Sequence, residues 1–358
     1  MNLKDKNLYY VGGVVRDEIL GIPSFDTDYC YEGNAIEFSK SFNVIKKNPD
    51  FGTVRIIVDN KEIDIASTRE ETYPREGHLP IVKRIGCPLK DDLKRRDFTI
   101  NALAKNTLTG EITDYFNGLG DIKEKQLRVL HNNSFREDPS RIIRGLKFSV
   151  RFNFSLDKHT EDLQTEYLNN INYDMSYHRL KKELKETFDL NKQDAYDIFV
   201  KKNLYKLLGK NQEIPTIKGE AEPLIKEFGS EHKWLVFLGL FNLENFELTS
   251  EEADIISGFN RIKNVHALGD FETYKMFNSV SKESVMLYAL IVNYDSAYNY
   301  LKNLQNIKIQ TNGETLKSLG IPAGRIYKEI FDYLLEKKLK NRDLTLDDEI
   351  KLVREKYV

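Results

Sequence analysis

Over the first third of the chain, apolar residues come in short β-branched and aromatic runs, among them Leu8–Val11, Val54–Val58 and Ile63–Ile65, divided by Gly, Asn and Asp. Runs of this kind between turn residues predict strands. Val54–Val58 and Lys61–Ala66 flank Asp59-Asn60, which predicts a hairpin closed by an Asx-type turn. Leu8–Val11 leads through Gly12-Gly13 into a helix expected over Val14–Leu20, so residues 8 to about 130 read as an α/β unit. From about residue 134 the spacing becomes helical and Gly grows sparse. Helices are predicted over 138–153, 159–169, 175–189 and 193–208, with an all-α remainder. Near the end, Ile326, Ile330, Leu334 and Leu335 form one apolar stripe with charges opposite, which helix packing explains fully.

The 358 residues, 40% hydrophobic and 31% charged, suit two to three domains at roughly 100–200 residues each and exclude a disordered chain. With 54 Lys and Arg against 56 Asp and Glu the net charge is -2, which excludes a globally basic nucleic-acid binder but not a locally basic one. No apolar run approaches the roughly 18–20 residues of a membrane span, and Met1–Tyr10 is too polar for a signal peptide, so a cytoplasmic protein is expected. Cys30 and Cys87 lie far apart without a C-x-x-C pair, which predicts ordinary buried or half-buried thiols. Lys181-Lys182 and Lys337-Lys338 read as solvated helix faces.

Three blocks carry the chemistry. In Tyr10-Val-Gly-Gly-Val-Val-Arg-Asp17, Gly12 and Gly13 let backbone N–H groups approach a phosphate at a helix N-terminus, although a tight turn with φ > 0 accounts for them equally. The block is neither G-x-G-x-x-G nor a P-loop. Asp26 and Asp28 follow, two apart in an extended segment, so both carboxylates share a face. Like charges held that close need a cation, and Mg²⁺ prefers such oxygens. Asp64 can supply a third carboxylate; the alternatives are a polar turn after Pro23 and the exposed half of an alternating strand.

The second block is Lys94-Arg-Arg-Asp-Phe-Thr-Ile-Asn-Ala-Leu103. Arg96 has the forked donors that suit oxyanions, while Asp97 and Asn101 can bind ribose hydroxyls or shape a pocket. Surface charges leading into a buried helix are the plainer reading. The third is Glu137-Asp-Pro-Ser-Arg-Ile-Ile-Arg-Gly-Leu-Lys-Phe148, with Asp138 as N-cap and Pro139 at the first helical position. Arg141, Arg144, Lys147 and Arg151 fall within roughly 120° of one another and Ile142, Ile143, Leu146 and Val150 on another arc, so one face is cationic and the other packs. Glu137 and Asp138 add acceptors, and the mixed set can hydrogen-bond the Watson–Crick edge of a base.

In this order and spacing the blocks resemble the bacterial (class II) CCA tRNA nucleotidyltransferases and their poly(A) polymerase relatives in the DNA polymerase β superfamily. GGVVRD with DTD is similar to the family's metal-binding motif, RRDFTINAL to its ribose and phosphate motif, and EDPSR to the amino-acid template that selects C or A. Asp114-x-x-x-Gly118-x-x-Asp121 with Arg128 resembles the motif joining head to neck. Ser176, Arg179 and Glu183 resemble the neck element that braces the template helix, and Gly320–Gly324 leading into Ile326–Leu339 and Asn341 resembles the tail. The resemblance covers almost the whole chain.

It implies an α+β protein: a polymerase-β-like nucleotidyltransferase head with a mixed sheet (1–130), then an all-α neck (131–192), body (193–270) and tail (271–358). It implies a two-metal Mg²⁺ site on Asp26 and Asp28, with Asp64 as third carboxylate. Nucleotide contacts are implied from Gly12, Gly13, Arg16, Arg96, Asp97, Asn101, Glu137, Asp138, Arg141, Arg144 and Lys147, the last replacing a common Arg. The implied partners are the tRNA 3′ end, CTP and ATP, with no protein partner and no membrane.

The implied reaction is template-independent addition of C, C and A with release of pyrophosphate. A-only and CC-only addition and poly(A) synthesis share the motifs. The polar connection from Thr68 to Leu89, with His78 the histidine to watch, stands where the family has a flexible loop, which argues against CC-only addition. No long basic C-terminal extension favours poly(A) synthesis. A non-catalytic RNA-binding relative would lack the carboxylates or the template arginines, and a small-molecule nucleotidyltransferase would lack the EDPSR helix.

Overall fold

The computed structural model describes residues 3–24, 27–266 and 269–358. The chain divides into two compact units, Met1–Gln212 with Glu244–Phe246, and Glu213–Leu243 with Glu247–Val358. The boundary falls inside the segment assigned above to the body.

The first unit begins with β1 (Leu8–Val11), α1 (Gly13–Leu20), β2 (Tyr29–Tyr31), α2 (Ala35–Phe38), β3 (Asn43–Asn48), β4 (Thr53–Val58) and β5 (Lys61–Ser67). A separate hairpin of β6 (Arg69–Thr72) and β7 (Ile81–Ile85) follows, then α3 (Leu89–Lys94), β8 (Leu103–Asn106) and β9 (Ile112–Asp114). The main sheet runs β3-β4-β5-β2-β1-β8-β9, and only β2 and β5 pair in parallel. It is a mixed sheet, and the protein is α+β.

The predicted β4–β5 hairpin forms. Asp59 and Asn60 have φ of 49° and 62°, the left-handed pair a two-residue turn demands. Strand alternation sorts the side chains. Leu8, Val54, Ile56, Val58 and Ile65 pack with Ala35 on one face, while Val11, Cys30 and Ala104 pack with Leu89, Leu93 and Ala102 on the other. Cys30 and Cys87 are free and buried.

The connection 68–89 is not a long irregular segment. Arg69–Thr72 pairs antiparallel with Ile81–Ile85, supported by a Lys83–Glu70 ion pair at 2.9 Å. Both strands are short and charged, so their alternation is faint in the sequence.

Helices complete this unit: α4 (Gly118–Glu124), α5 (Ser134–Glu137), α6 (Ser140–Phe152), α7 (Lys158–Asn169), α8 (Tyr177–Phe188) and α9 (Gln193–Lys201). The helix expected over 193–208 stops at Lys201. Asn203 turns left-handed at φ 60° and a 3₁₀ segment, Leu204–Leu208, follows.

At the head of α6, Asp138 is extended and its Oδ1 accepts the Ser140 N–H at 3.1 Å, while Pro139 is already helical. That is the expected cap, two residues ahead of the N–H it satisfies. Asp114 likewise caps α4, accepting from the backbone N–H of Gly118 and Leu119 at 2.9 Å each. A Cβ on Gly118 would lie 2.4 Å from the Thr99 carbonyl, which explains the Gly at that point of the motif.

The described part of the second unit is helical: α10 (Ala221–Phe228), α11 (Lys233–Leu238), α12 (Ser250–Ile262), α13 (Asp270–Phe277), α14 (Lys282–Ile291), α15 (Tyr294–Asn299), α16 (Gly313–Ser318), α17 (Arg325–Lys340) and α18 (Leu346–Tyr357). Ile330 and Leu334 of the predicted stripe are buried in α17 against Leu316 and Val353. Among the described residues no helix is long and apolar enough to cross a membrane.

Candidate active site

The three sequence blocks converge on one cavity of about 880 Å³ in the first unit. Gly12, Gly13, Arg16 and Asp28 reach it from the β1–α1 turn and the start of β2, and Arg96, Asp97 and Asn101 from the segment after α3. Asp138 reaches it from the turn before α6, Arg141, Arg144 and Lys147 from α6, and Arg179 and Glu183 from α8. Asp26 lies outside the described residues. Asp64 lines a neighbouring cavity, together with Asp28 and Arg96, and Glu137 and Ser176 line neither.

Gly12 has φ 72°, and a Cβ there would stand 2.9 Å from Arg96 Nη1, so both conformation and close approach require glycine. Arg96 donates to Asp92 Oδ2 at 3.3 Å, yet its Nε is buried with no acceptor among the described residues. A buried guanidinium N–H without an acceptor is costly, and its forked donors suit an oxyanion.

Asp92 itself is fully buried. It accepts from Arg95 at 2.9 and 3.0 Å and from the Arg69 backbone N–H at 3.1 Å. Burial raises its pKa, but Arg95 and Arg96 more than reverse this and hold it below the usual carboxylate value. The motif reading does not select Asp92; its spacing of three and four residues before two arginines on a helix is the signal that does.

A continuous polar chain ties the elements together. Arg16 donates to Asp17 at 2.6 and 2.8 Å and to Asn101 Oδ1, with its guanidinium 4.6 and 5.2 Å from the ring centroids of Phe152 and Phe148. Asn101 Nδ2 donates to Asp97 Oδ1 at 2.9 Å, and Arg144 Nε donates to Asp97 Oδ2 at 2.7 Å. Arg144 Nη1 reaches Glu183 at 3.1 Å, and Lys147 Nζ reaches Glu183 at 2.7 Å and Glu186 at 2.6 Å. The cationic face of α6 is therefore ion-paired rather than solvated. Burial raises the Asp97 carboxyl, and Arg144 with donors from Asn101 and Phe98 overcomes that and brings it down to about 2.

Arg141 is buried, donating through Nη1 to Ser134 Oγ at 2.8 Å and through Nη2 to the Arg95 carbonyl at 2.9 Å. Its Nε lies 3.9 Å from Asp138 Oδ2, which also accepts from Arg179. Arg179 Nη1 donates to the His78 carbonyl at 3.1 Å, and the Ser176 N–H to Gly77 O at 2.9 Å, so the tip between β6 and β7 rests on α8. His78 Nε2 lies 3.4 Å from Asp174 Oδ1.

Glu137 lies 3.3 Å from His131 Nε2, and burial raises its pKa. Burial together with Arg141 and Lys94 pushes the His131 imidazole from 6.5 to about 4. Near neutral pH the folded protein keeps His131 uncharged, while the unfolded chain protonates it near 6.5. This group therefore costs nothing above pH 6.5 and progressively destabilises the fold as pH falls from 6.5 to about 4. Urea midpoints at about pH 7.5 and about pH 4.5 test this: His131→Gln is expected to shrink the acid-induced loss, and an unchanged loss refutes it.

The carboxylates suit a divalent cation. Asp28 stands one step before the Tyr29↔Ile65 pair that joins β2 to β5, which brings it alongside Asp64, and both open on one cavity. Among the described residues no group of three His, Cys, Asp or Glu forms a metal site, and Asp26 is not among them.

Residues 8–128 match the family described as Poly A polymerase head domain. The A-adding tRNA nucleotidyltransferase of Aquifex aeolicus is 46% identical over 169 residues, covering 45% of this chain and 20% of that one. That of Geobacter sulfurreducens is 31% identical over 396 residues, covering 96% and 44%. The CCA-adding enzyme of Lactobacillus johnsonii is 28% identical over 385 residues, covering 96% and 93%. The chain thus spans between 20% and 46% of the length of the first three curated relatives it matches, although it covers nearly all of the Lactobacillus enzyme.

Two solved structures of CCA-adding enzyme, an apo form and a complex with ATP, are each 26% identical with TM-scores of 0.77 and 0.76. They cover 97% of this chain and 91% and 89% of theirs. The order of the motifs, their meeting in one cavity and this likeness along the chain have one account: residues 8–128 are a poly A polymerase head domain, and the chain along its length is similar to bacterial CCA-adding enzymes.

Proposed function

We propose that this protein adds C, C and A in turn to the 3′ end of tRNA in the cytoplasm, using CTP and ATP and releasing pyrophosphate without a nucleic-acid template. One observation carries the reading. An acceptor and a donor, Asp138 and Arg141, line the same cavity as the glycine turn, Asp28 and the unsatisfied Arg96 donor. Related structures, complexes of CCA-adding enzyme with CTP and with tRNA, support it.

In this reading Asp26 and Asp28 hold two Mg²⁺ ions, with Asp64 as third carboxylate. Bound there, the ions would lower the pKa of the RNA 3′-hydroxyl and neutralise charge gathering on the phosphates during in-line displacement. Gly12, Gly13, Arg16 and Arg96 receive the triphosphate, and Asp97 and Asn101 fix the ribose side. Lys147 adds charge without the planar fork of an arginine. Asp138 and Arg141 accept C or A by hydrogen-bond pattern, because a buried polar group left unpaired rejects the wrong base. Glu137 stands behind Arg141, at 3.9 Å, and Arg179 and Glu183 brace α6 from α8.

A second reading, addition of the terminal A alone, is favoured by the first three curated relatives, all A-adding enzymes, at 46%, 31% and 36% identity. Incubation with Mg²⁺ and tRNA transcripts ending at the discriminator base, at C, or at CC, with CTP, ATP or both, separates the two. The proposed function requires all three nucleotides on the shortest transcript. Extension of only the CC-ended transcript by one A selects the second reading, and long adenylate tails on unrelated RNA reject both.

A further inference from the structure

One face of the main sheet carries a row of charges across four strands. Lys46 on β3 is the register partner of Arg55 on β4, and Arg55 is the register partner of Asp64 on β5. Asp28 follows beside Asp64, one step before the Tyr29↔Ile65 pair. Alternation turns Arg55, Asp64 and Asp28 away from the face where Val54, Ile56 and Ile65 are buried. All four residues line a cavity of about 520 Å³ that shares Asp28, Arg69, Arg95 and Arg96 with the larger one. The row reads cation, cation, anion, anion.

At its centre Arg55 grips Asp64 through two parallel bonds, Nε to Oδ1 and Nη2 to Oδ2, both 2.8 Å, and reaches Glu62 at 3.3 Å. Both Asp64 oxygens are thus occupied by a guanidinium. The pair is open to solvent, with side chains 43% and 63% exposed, so it breaks at little cost. The pairs of Asp92 with Arg95 and of Asp97 with Arg144 have buried carboxylates and do not exchange so cheaply. A phosphate matches the guanidinium fork as well as a carboxylate does, and Lys46 next to it supplies a second positive charge.

Resting on the nucleotidyl-transfer reading, we propose that Arg55 is an exchangeable counter-ion. It holds Asp64 while the cavity contains no RNA, and passes to a backbone phosphate of the RNA 3′ end when that end enters. The exchange turns Asp64 over to a divalent ion held beside it by Asp28. Arg55 is then a positioning residue that couples arrival of the RNA to completion of the carboxylate set, and the coupling runs both ways.

Mn²⁺ binding to the full chain without RNA or nucleotide, followed by electron paramagnetic resonance, tests the exchange. Arg55→Gln is expected to tighten Mn²⁺ binding about three- to tenfold by freeing Asp64. Lys46→Gln removes an equal charge one strand away without touching Asp64 and should leave binding within about twofold. In an Asp64→Asn background, Arg55→Gln should have no further effect. Arg55→Gln should also weaken binding of CC-ended tRNA about three- to tenfold.

Unchanged Mn²⁺ affinity in Arg55→Gln overturns the exchange, as does equal tightening in Lys46→Gln or in the Asp64→Asn background. Failure of the wild type and every variant to bind Mn²⁺ overturns the nucleotidyl-transfer reading itself.

Discussion

Asp26→Ala and Asp28→Ala are each expected to lower kcat/KM by about 10³-fold or more, equally with CTP and with ATP, and Asp28→Ala to leave the urea midpoint nearly unchanged. Metal-bound carboxylates contribute several kcal/mol of transition-state charge stabilisation, and each 1.36 kcal/mol is tenfold in rate. Folding depends on Asp28 far less, because it is exposed at the mouth of the cavity, where substitutions usually shift stability by no more than about 0.5 kcal/mol. Equal loss with both nucleotides separates this from damage to base selection, which would change their ratio. Steady-state extension of CC-ended tRNA by A, and of a transcript lacking CCA by C, measures both. More than about a tenth of wild-type activity in Asp28→Ala would reject its metal role.

The parts of this site that the sequence makes legible are the local ones. Leu8–Val11, the Asp59-Asn60 turn and the Asp138-Pro139 cap follow from neighbours within a few residues, and each forms where its pattern predicts. The ion pairs that organise the site are not local. Arg144 meets Asp97 across 47 residues and Glu183 across 39, and Arg16 meets Asn101 across 85. No periodicity encodes such pairings; the motif resemblance alone groups these residues.

The same limit explains how the α6 cations read. On a helical wheel Arg141, Arg144 and Lys147 allow a solvated stripe, because the wheel does not contain α8, whose Glu183 and Glu186 accept from two of them. The β6–β7 hairpin escapes the pattern for a different reason. Its strands are four and five residues long and rich in Arg, Glu and Lys, so pairing to each other, not an apolar face, defines them.

Asp97→Asn is expected to destabilise the fold by about 2 kcal/mol, the cost of taking a buried carboxylate away from the half-buried Arg144. Arg144 loses the carboxylate that holds its Nε at 2.7 Å and is left to Glu183 alone, a group it already shares with Lys147. An amide can still accept from the Phe98 N–H, so the turn persists while the charge is gone. The variant also loses an acid dependence. The Asp97 pKa falls from 3.8 to about 2 on folding, so its stabilisation is complete above about 3.8 and lost as pH falls through about 2. That term is worth about 2 kcal/mol and should be missing from the variant's stability profile over that window. Asp162→Asn provides the contrast: its pair with Lys158 is 59% and 81% exposed, and its removal should leave the urea midpoint nearly unchanged. In a double-mutant cycle Arg144→Gln should cost markedly less in the Asp97→Asn background than alone. Equal urea midpoints for wild type and Asp97→Asn would show that Glu183 suffices for Arg144, and that Asp97 serves the nucleotide rather than the fold.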